Sequence, residues 1–123
     1  MISDETNDNM PLLERLRSGH RRFLEQDFPR HRDMFQRLSR DGQKPRALLV
    51  ACSDSRVHPN LLTHSGPGEL FLVRNVANLV PPWDPSGGYH GTSAALEFAV
   101  CRLEVEAIIV MGHSHCGGVR ALV

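Results

Sequence analysis

Apolar residues recur along this chain at two different periods. Between Met10 and Gln26, Leu12, Leu13, Leu16, Phe23 and Leu24 return at near-helical spacing with charged residues between them. That pattern predicts an amphipathic helix, with Asn9 as its cap and Pro11 in its first turn. A second, shorter helix carries Met34, Phe35 and Leu38 and stops at Asp41-Gly42, where glycine accepts a left-handed backbone. The pattern then changes to short, nearly continuous apolar runs. Arg46 to Cys52, Leu70 to Arg74 and Ala107 to Met111 are each bounded by turn-forming residues and read as strands, the last rich in β-branched residues. Between the second and third runs, Thr92 to Arg102 puts Ala95, Leu96, Ala99 and Val100 on one helical face, with Thr92 or Ser93 as cap.

Strand, helix and strand in that order predict parallel pairing, and continuous apolar strands suit a sheet covered on both faces. The expected fold class is α/β: a parallel β-sheet core with flanking helices, preceded by an N-terminal helical arm. The arm is expected over residues 1–45 and the core over 46–123, together one domain. Val80 to Gly91 is a Pro/Gly-rich loop long enough for a functional role. No internal repeat is present.

Composition narrows the function classes. The chain has 123 residues, of which 41% are hydrophobic and 23% charged, as in an ordinary globular domain. Lys plus Arg and Asp plus Glu each number 14, so no basic surplus draws nucleic acid or an acidic membrane. The first ten residues are polar and acidic rather than signal-like, and no apolar run approaches the roughly 20 residues of a membrane span. A cytoplasmic protein is expected. Three cysteines are an odd number, and two stand beside metal-type partners, which argues for free thiols in a reducing compartment.

Those two cysteines and one histidine carry the chemistry. Cys52 lies in Ala51-Cys52-Ser53-Asp54-Ser55-Arg56, and His113 and Cys116 lie in Gly112-His113-Ser114-His115-Cys116-Gly117-Gly118. Cys52 closes the first predicted strand and His113 follows the third, so both fall at the carboxyl edge of the sheet, where open α/β folds gather ligands. Together the three form a candidate Cys2His zinc site. Three protein ligands leave a tetrahedral ion one open position, which can hold a water that becomes a nucleophile near neutral pH. Asp54 has two readings. It is either a fourth zinc ligand that closes the site, or a partner of Arg56 that accepts a hydrogen bond from the zinc-activated water. Two thiolates already offset the charge of Zn²⁺, so the ion acidifies water less than a three-histidine site does, and an acceptor in the second role has a physical purpose. Arg56 would keep the carboxylate ionised in either case.

The same residues resemble the β-class carbonic anhydrases, enzymes that interconvert carbon dioxide and bicarbonate. Cys52 to Arg56 and Gly112 to Gly118 resemble the family's two zinc motifs, and Pro67 to Asn78 and Ser93 to Val100 resemble further family segments. The likeness runs from about Gly19 to the C-terminus. It implies one Zn²⁺ per chain held by Cys52, His113 and Cys116, a catalytic dyad of Asp54 and Arg56, and Gln43 as a hydrogen-bond donor to substrate. It also places Phe71, Val76 and Phe98 on an apolar substrate pocket and suggests a homodimer or higher homo-oligomer, with the arm packing across it.

Departures from the family pattern refine these expectations. Phe98 stands where plant-type members often have tyrosine, His20 where asparagine is usual, and Leu49 where members with a non-catalytic bicarbonate site tend to have tryptophan. A regulatory bicarbonate pocket near Arg74 is therefore expected to be missing. The family continues beyond the position of Val123, so the C-terminal part is expected to be missing and the third strand to keep an uncovered edge. His58, His64, His90 and His115 are candidates for moving the product proton, because imidazole titrates near neutrality.

Other readings make different predictions. A cysteine nucleophile at Cys116 is suggested by the glycine pair and Arg120, but a phosphate-binding loop needs arginine where Leu122 stands. A zinc-binding homologue without turnover would hold the metal and hydrate nothing. Hydrolysis of carbon disulfide or carbonyl sulfide would use the same ligands. Cys101, on a predicted apolar helix face, reads as a small packing residue.

Overall fold

The computed structural model describes residues 9–123. The acidic N-terminal stretch otherwise lies outside the described residues, apart from Asn9 and Met10. The described residues form two compact units that divide between Gly42 and Gln43.

The first unit is helical. Helix α1 spans Leu12–Arg22, with Pro11 rather than Asn9 at the N-cap position. The helical path widens into a π-turn over Phe23–Asp27, continues briefly as α2 (Phe28–Arg30), and resumes as α3 (Arg32–Asp41). The expected helix to Gln26 is thus an α-helix with a π-turn at its end, followed by a short helix containing Pro29 that hydropathy alone did not reveal. Gly42 ends α3 at φ +82°, and its N–H reaches Leu38 O, as expected for a glycine stop. Aromatic rings fasten this unit: Phe23 meets Phe28 and Phe35 edge-on, and Phe28 stacks on Phe35 with centroids 5.6 Å apart. His20 stacks on Phe23 at 5.9 Å. The leucine stripe of α1 remains exposed, with Leu12 and Leu13 more than 70% accessible.

The second unit is the α/β core. Strands β1 (Ala47–Cys52), β2 (Leu70–Asn75) and β3 (Ala107–Val110) form one parallel sheet in the order β2-β1-β3. Ala47 lies opposite both Leu70 and Ala107, and Cys52 lies opposite Asn75. Every residue of the central strand β1 is buried, which explains its unbroken apolar sequence. Leu48, Val50 and Ala51 are fully enclosed, and Leu49 is only 2% exposed. Strand β3 is an edge, and all four of its residues are exposed.

A short helix absent from the sequence reading, α4 (Pro59–Thr63), follows β1. His58 caps it by accepting the Leu61 N–H on Nδ1. The predicted helix over 92–102 appears as α5 (Gly91–Glu97) running into a π-turn at Phe98–Arg102. Its cap position is His90, and neither Thr92 nor Ser93 serves, because the Thr92 hydroxyl accepts a hydrogen bond from Asn75 instead. The exposure of Cys101 corrects its reading as a packing residue. Ala99 is buried while Val100 and Cys101 are exposed, and at helical spacing Cys101 falls on the side opposite Ala95, Leu96 and Ala99. Cys101 borders an open hollow with Trp83, His90 and Glu97. The last element is α6 (Gly117–Leu122), with Cys116 at its N-cap position.

Candidate metal centre

Two strand ends and one turn assemble the site. Cys52 is the last residue of β1 and is 4% exposed. After β3, residues 111–116 cross to the same edge, and His115 takes a left-handed backbone at φ +57°. That reversal lets His113 and Cys116 face one point. It costs about 1 kcal/mol for a residue with a Cβ, and so marks a turn held by its surroundings.

The three predicted ligands come together. One ligand atom from each of Cys52, His113 and Cys116 lies within 4.8 Å of the others. The two Sγ atoms are 3.8 Å apart. Two Zn–S bonds of about 2.3 Å at a tetrahedral angle give a sulfur separation of roughly 3.8 Å, so the thiols already stand at metal-binding distance. His113 Nδ1 lies 2.9 Å from Ser114 O and fixes the ring as the tautomer that donates there. Its Nε2 is then a bare acceptor, buried and without a hydrogen-bond partner. An orphaned imidazole nitrogen beside two cysteines suits a borderline-soft divalent cation such as Zn²⁺.

Electrostatics prepare the Cys52 thiol for that role. Cys52 is lowered from the usual thiol value to about 6, first by the Asp54 backbone N–H, then by His113 and the Ala77 backbone N–H. His113 is raised, chiefly by the Cys52 thiolate. A cation bound between them would compete with protons for both groups.

Asp54 and Arg56 form one unit. Arg56 Nε and Nη2 donate to the two carboxylate oxygens at 3.0 and 2.7 Å, and the Arg56 backbone N–H adds a third bond at 2.8 Å. This fork holds the Asp54 carboxyl far below the ordinary carboxylate range. Arg56 Nη2 also donates to His115 O at 3.1 Å and so ties the first motif to the second. Asp54 Oδ2 lies 3.9 Å from His113 Nε2, with both oxygens turned to Arg56.

The other expected residues divide into two groups. Phe71 on β2 and Phe98 at the start of the π-turn stack with centroids 5.7 Å apart, and Val76 stands 67% exposed just past β2. Gln43 is exposed before β1, beyond the amino end of the strand whose carboxyl end bears Cys52. Six strand residues span roughly 20 Å, so Gln43 does not belong to the cluster around Cys52 in its own chain. Among the candidate proton carriers, His58 caps α4, His64 takes a left-handed conformation at the end of α4, and His90 Nε2 sits 2.8 Å from Gly87 O.

Two residues that the sequence reading did not assign to the site support it through main-chain groups. Arg74 donates to the carbonyls of Cys52, Asp54 and Val57 at 2.9, 2.9 and 2.7 Å, clamping the loop that carries the dyad. Its Nε and Nη2 are thereby committed. Asn75 bonds across the turn that follows β2. The available signal was an arginine and an asparagine ending an apolar strand at the ligand-bearing edge.

Comparison with known proteins places this arrangement. The family model described as carbonic anhydrase matches residues 47–123. A carbonic anhydrase of Synechocystis sp. is 49% identical over 110 residues, covering 89% of this chain and 39% of the relative. The structure of the β-carbonic anhydrase CcaA superposes with a TM-score of 0.83 at 49% identity, over 89% of this chain and 48% of that one. Structures of two tetrameric β-carbonic anhydrases from the ascomycete Sordaria macrospora give a TM-score of 0.77 at 34% identity, covering 90% of this chain and 54% of theirs. The chain thus spans between about two fifths and just over half the length of these relatives.

Proposed function

Because this chain belongs to the carbonic anhydrase family, we propose that it hydrates carbon dioxide reversibly to bicarbonate and a proton, with one Zn²⁺ held by Cys52, His113 and Cys116. The observation that carries the reading is the ligand cluster, in which the buried Nε2 of His113 lacks any partner beside two thiols 3.8 Å apart. Zinc bound there would supply a Lewis acid and a water acidified towards neutral pH.

The chain's own residues would do the rest. Asp54, locked by Arg56 and unable to take a proton at neutral pH, offers an acceptor that orients a water and selects its deprotonated form. Its engagement with Arg56 supports the open site over the one closed by Asp54 as a fourth ligand. Phe71, Val76 and Phe98 supply an apolar wall against which a small nonpolar substrate avoids competing hydrogen bonds. Gln43 would contact substrate only in the site of a second copy, which agrees with a homo-oligomer; the Sordaria relatives are tetrameric. Among the described residues no helix is long and apolar enough to cross a membrane. A cytoplasmic location is part of the proposal.

The test is stopped-flow carbon dioxide hydration by purified protein of measured zinc content, beside Asp54→Ala. The zinc-loaded chain should turn over at alkaline pH and the variant should lose about 10- to 100-fold. A fully loaded chain without hydration would leave a zinc-binding homologue, and equal rates in the variant would remove the dyad from the mechanism.

A further inference from the structure

Asp54 and Arg56 sit in one tight turn. Asp54 O accepts the Val57 N–H at 3.0 Å, which closes a four-residue β-turn over residues 54–57, and Asp54 Oδ1 accepts the Arg56 N–H at 2.8 Å inside it. Aspartate suits the first position of such a turn because its carboxylate reaches the N–H two residues on. The Arg56 side chain then returns to the same carboxylate through Nε and Nη2. The direction of the Asp54 carboxylate is therefore set by how the turn is held. Strand pairing reaches only as far as Cys52 opposite Asn75, with one further bond from the Ser53 N–H to Asn75 O at 2.8 Å, and the turn lies past it.

Arg74 supplies the hold. It stands on β2 opposite the fully buried Ala51, so its backbone belongs to the paired part of the sheet. Its Nε donates to Cys52 O at 2.9 Å, at the root of the turn. Its Nη2 donates to Asp54 O at 2.9 Å and to Val57 O at 2.7 Å, the carbonyls of the turn's first and last residues. Nε carries one N–H and Nη2 two, so three donors on one edge of a planar guanidinium meet three carbonyls. Carbonyls that point at a common spot repel one another, and a cation with fixed donor directions lets them converge. Val57, 6% exposed, anchors the far end of the turn. All three bonds go to main-chain oxygens, so Arg74 reaches the Asp54–Arg56 pair through the backbone that carries it.

We propose that Arg74 is a positioning residue for the Asp54–Arg56 pair: by pinning both ends of the 54–57 turn it fixes the direction in which the Asp54 carboxylate faces the metal centre. Cys52 ends a strand that the sheet already holds on its own, so metal binding should depend on Arg74 far less than the placement of Asp54 does. The proposal rests on the reading of Asp54 as the acceptor that orients an activated water.

The test follows amide hydrogen exchange by NMR in the purified full chain, of measured zinc content, beside Arg74→Ala. The Arg56 and Val57 amides, both bonded to Asp54, should exchange about tenfold or more faster in the variant, while the Ser53 amide, bonded to Asn75, keeps its protection and the zinc content is unchanged. Unchanged exchange at Arg56 and Val57 would overturn the proposal. Equal acceleration at Ser53 and along β1 would also overturn it, because that outcome marks an arginine that merely stabilises the fold. Hydration rates add a second arm. Arg74→Ala should lose about 10- to 100-fold in kcat, and Arg74→Ala combined with Asp54→Ala should be no slower than Asp54→Ala alone, because both remove one function. Losses that multiply in the double variant would overturn the assignment. If the zinc-loaded parent hydrates nothing, the proposed function fails while the exchange rates still decide what Arg74 does to the turn. Should Arg74→Ala not fold, Arg74→Lys, which keeps the charge but not the planar fork, takes its place in both measurements with the same expected outcome.

Discussion

At the scale of single residues, the site is a set of protons arranged to leave. Cys52 is lowered to about 6, and the carboxyl of Asp54 is held far below that. A thiol whose folded value is depressed contributes stability above its ordinary value and loses that contribution as pH falls towards the folded one. The metal-free chain should therefore lose stability from this group as pH falls from about 9 to 6, and urea titrations at several pH values would measure it. Bound zinc should be released on further acidification, because protons then compete for Cys52 and His113. Cys52→Ser should abolish stoichiometric zinc in the purified protein, as read by metal analysis. The clustering of Cys52, His113 and Cys116 was legible in the sequence because all three stand at or just past strand ends on one edge of the sheet. Arg74 and Asn75 were not assigned a role there, since both act on main-chain groups that residue types do not announce.

At the scale of elements, hydropathy located all three strands and the helix between them to within a residue or so. It did so because each strand is a continuous apolar run that nothing interrupts. The misplaced feature was an angular one. Cys101 was read as a packing residue, yet at helical spacing it falls opposite Ala95, Leu96 and Ala99, and it is exposed. Helix α4 escaped notice because its five residues are too few to show a period. The enclosed strand β1 should dominate stability. Leu48→Ala should cost about 2–5 kcal/mol in chemical denaturation, because the side chain is wholly buried on the central strand of the sheet. The Arg46–Glu106 pair that links the starts of β1 and β3 is well exposed on both sides and should contribute little when removed.

At the scale of the whole molecule, the described residues divide at Gly42, and Gln43 to Arg46 lead into β1. The α/β class was readable from the order of elements. Strand order was not, since a strand–helix–strand pattern leaves open which strand lies in the middle. Its consequence is an exposed apolar edge: Ile108, Ile109 and Val110 on β3 are each between 44% and 53% accessible. Unpaired apolar edges seek partners. Sedimentation velocity should show association that grows with concentration, and Ile109→Lys should reduce it.

The central place of β1 also sets an order of events in time. Residues at the β1–β2 seam such as Cys52 and Arg74 are 22 positions apart, whereas Arg46 and Glu106, which open the β1–β3 seam, are 60 apart. Closing the longer loop costs about 1 kcal/mol more in chain entropy, and distant pairings form more slowly. A refolding chain would thus complete the half of the pocket around Cys52 and its turn first, and hold it ready with a single thiol. His113 and Cys116 arrive with the last strand, so a cation would be captured tightly only once the sheet is whole. Uptake of metal during refolding would then report completion of the fold rather than its beginning.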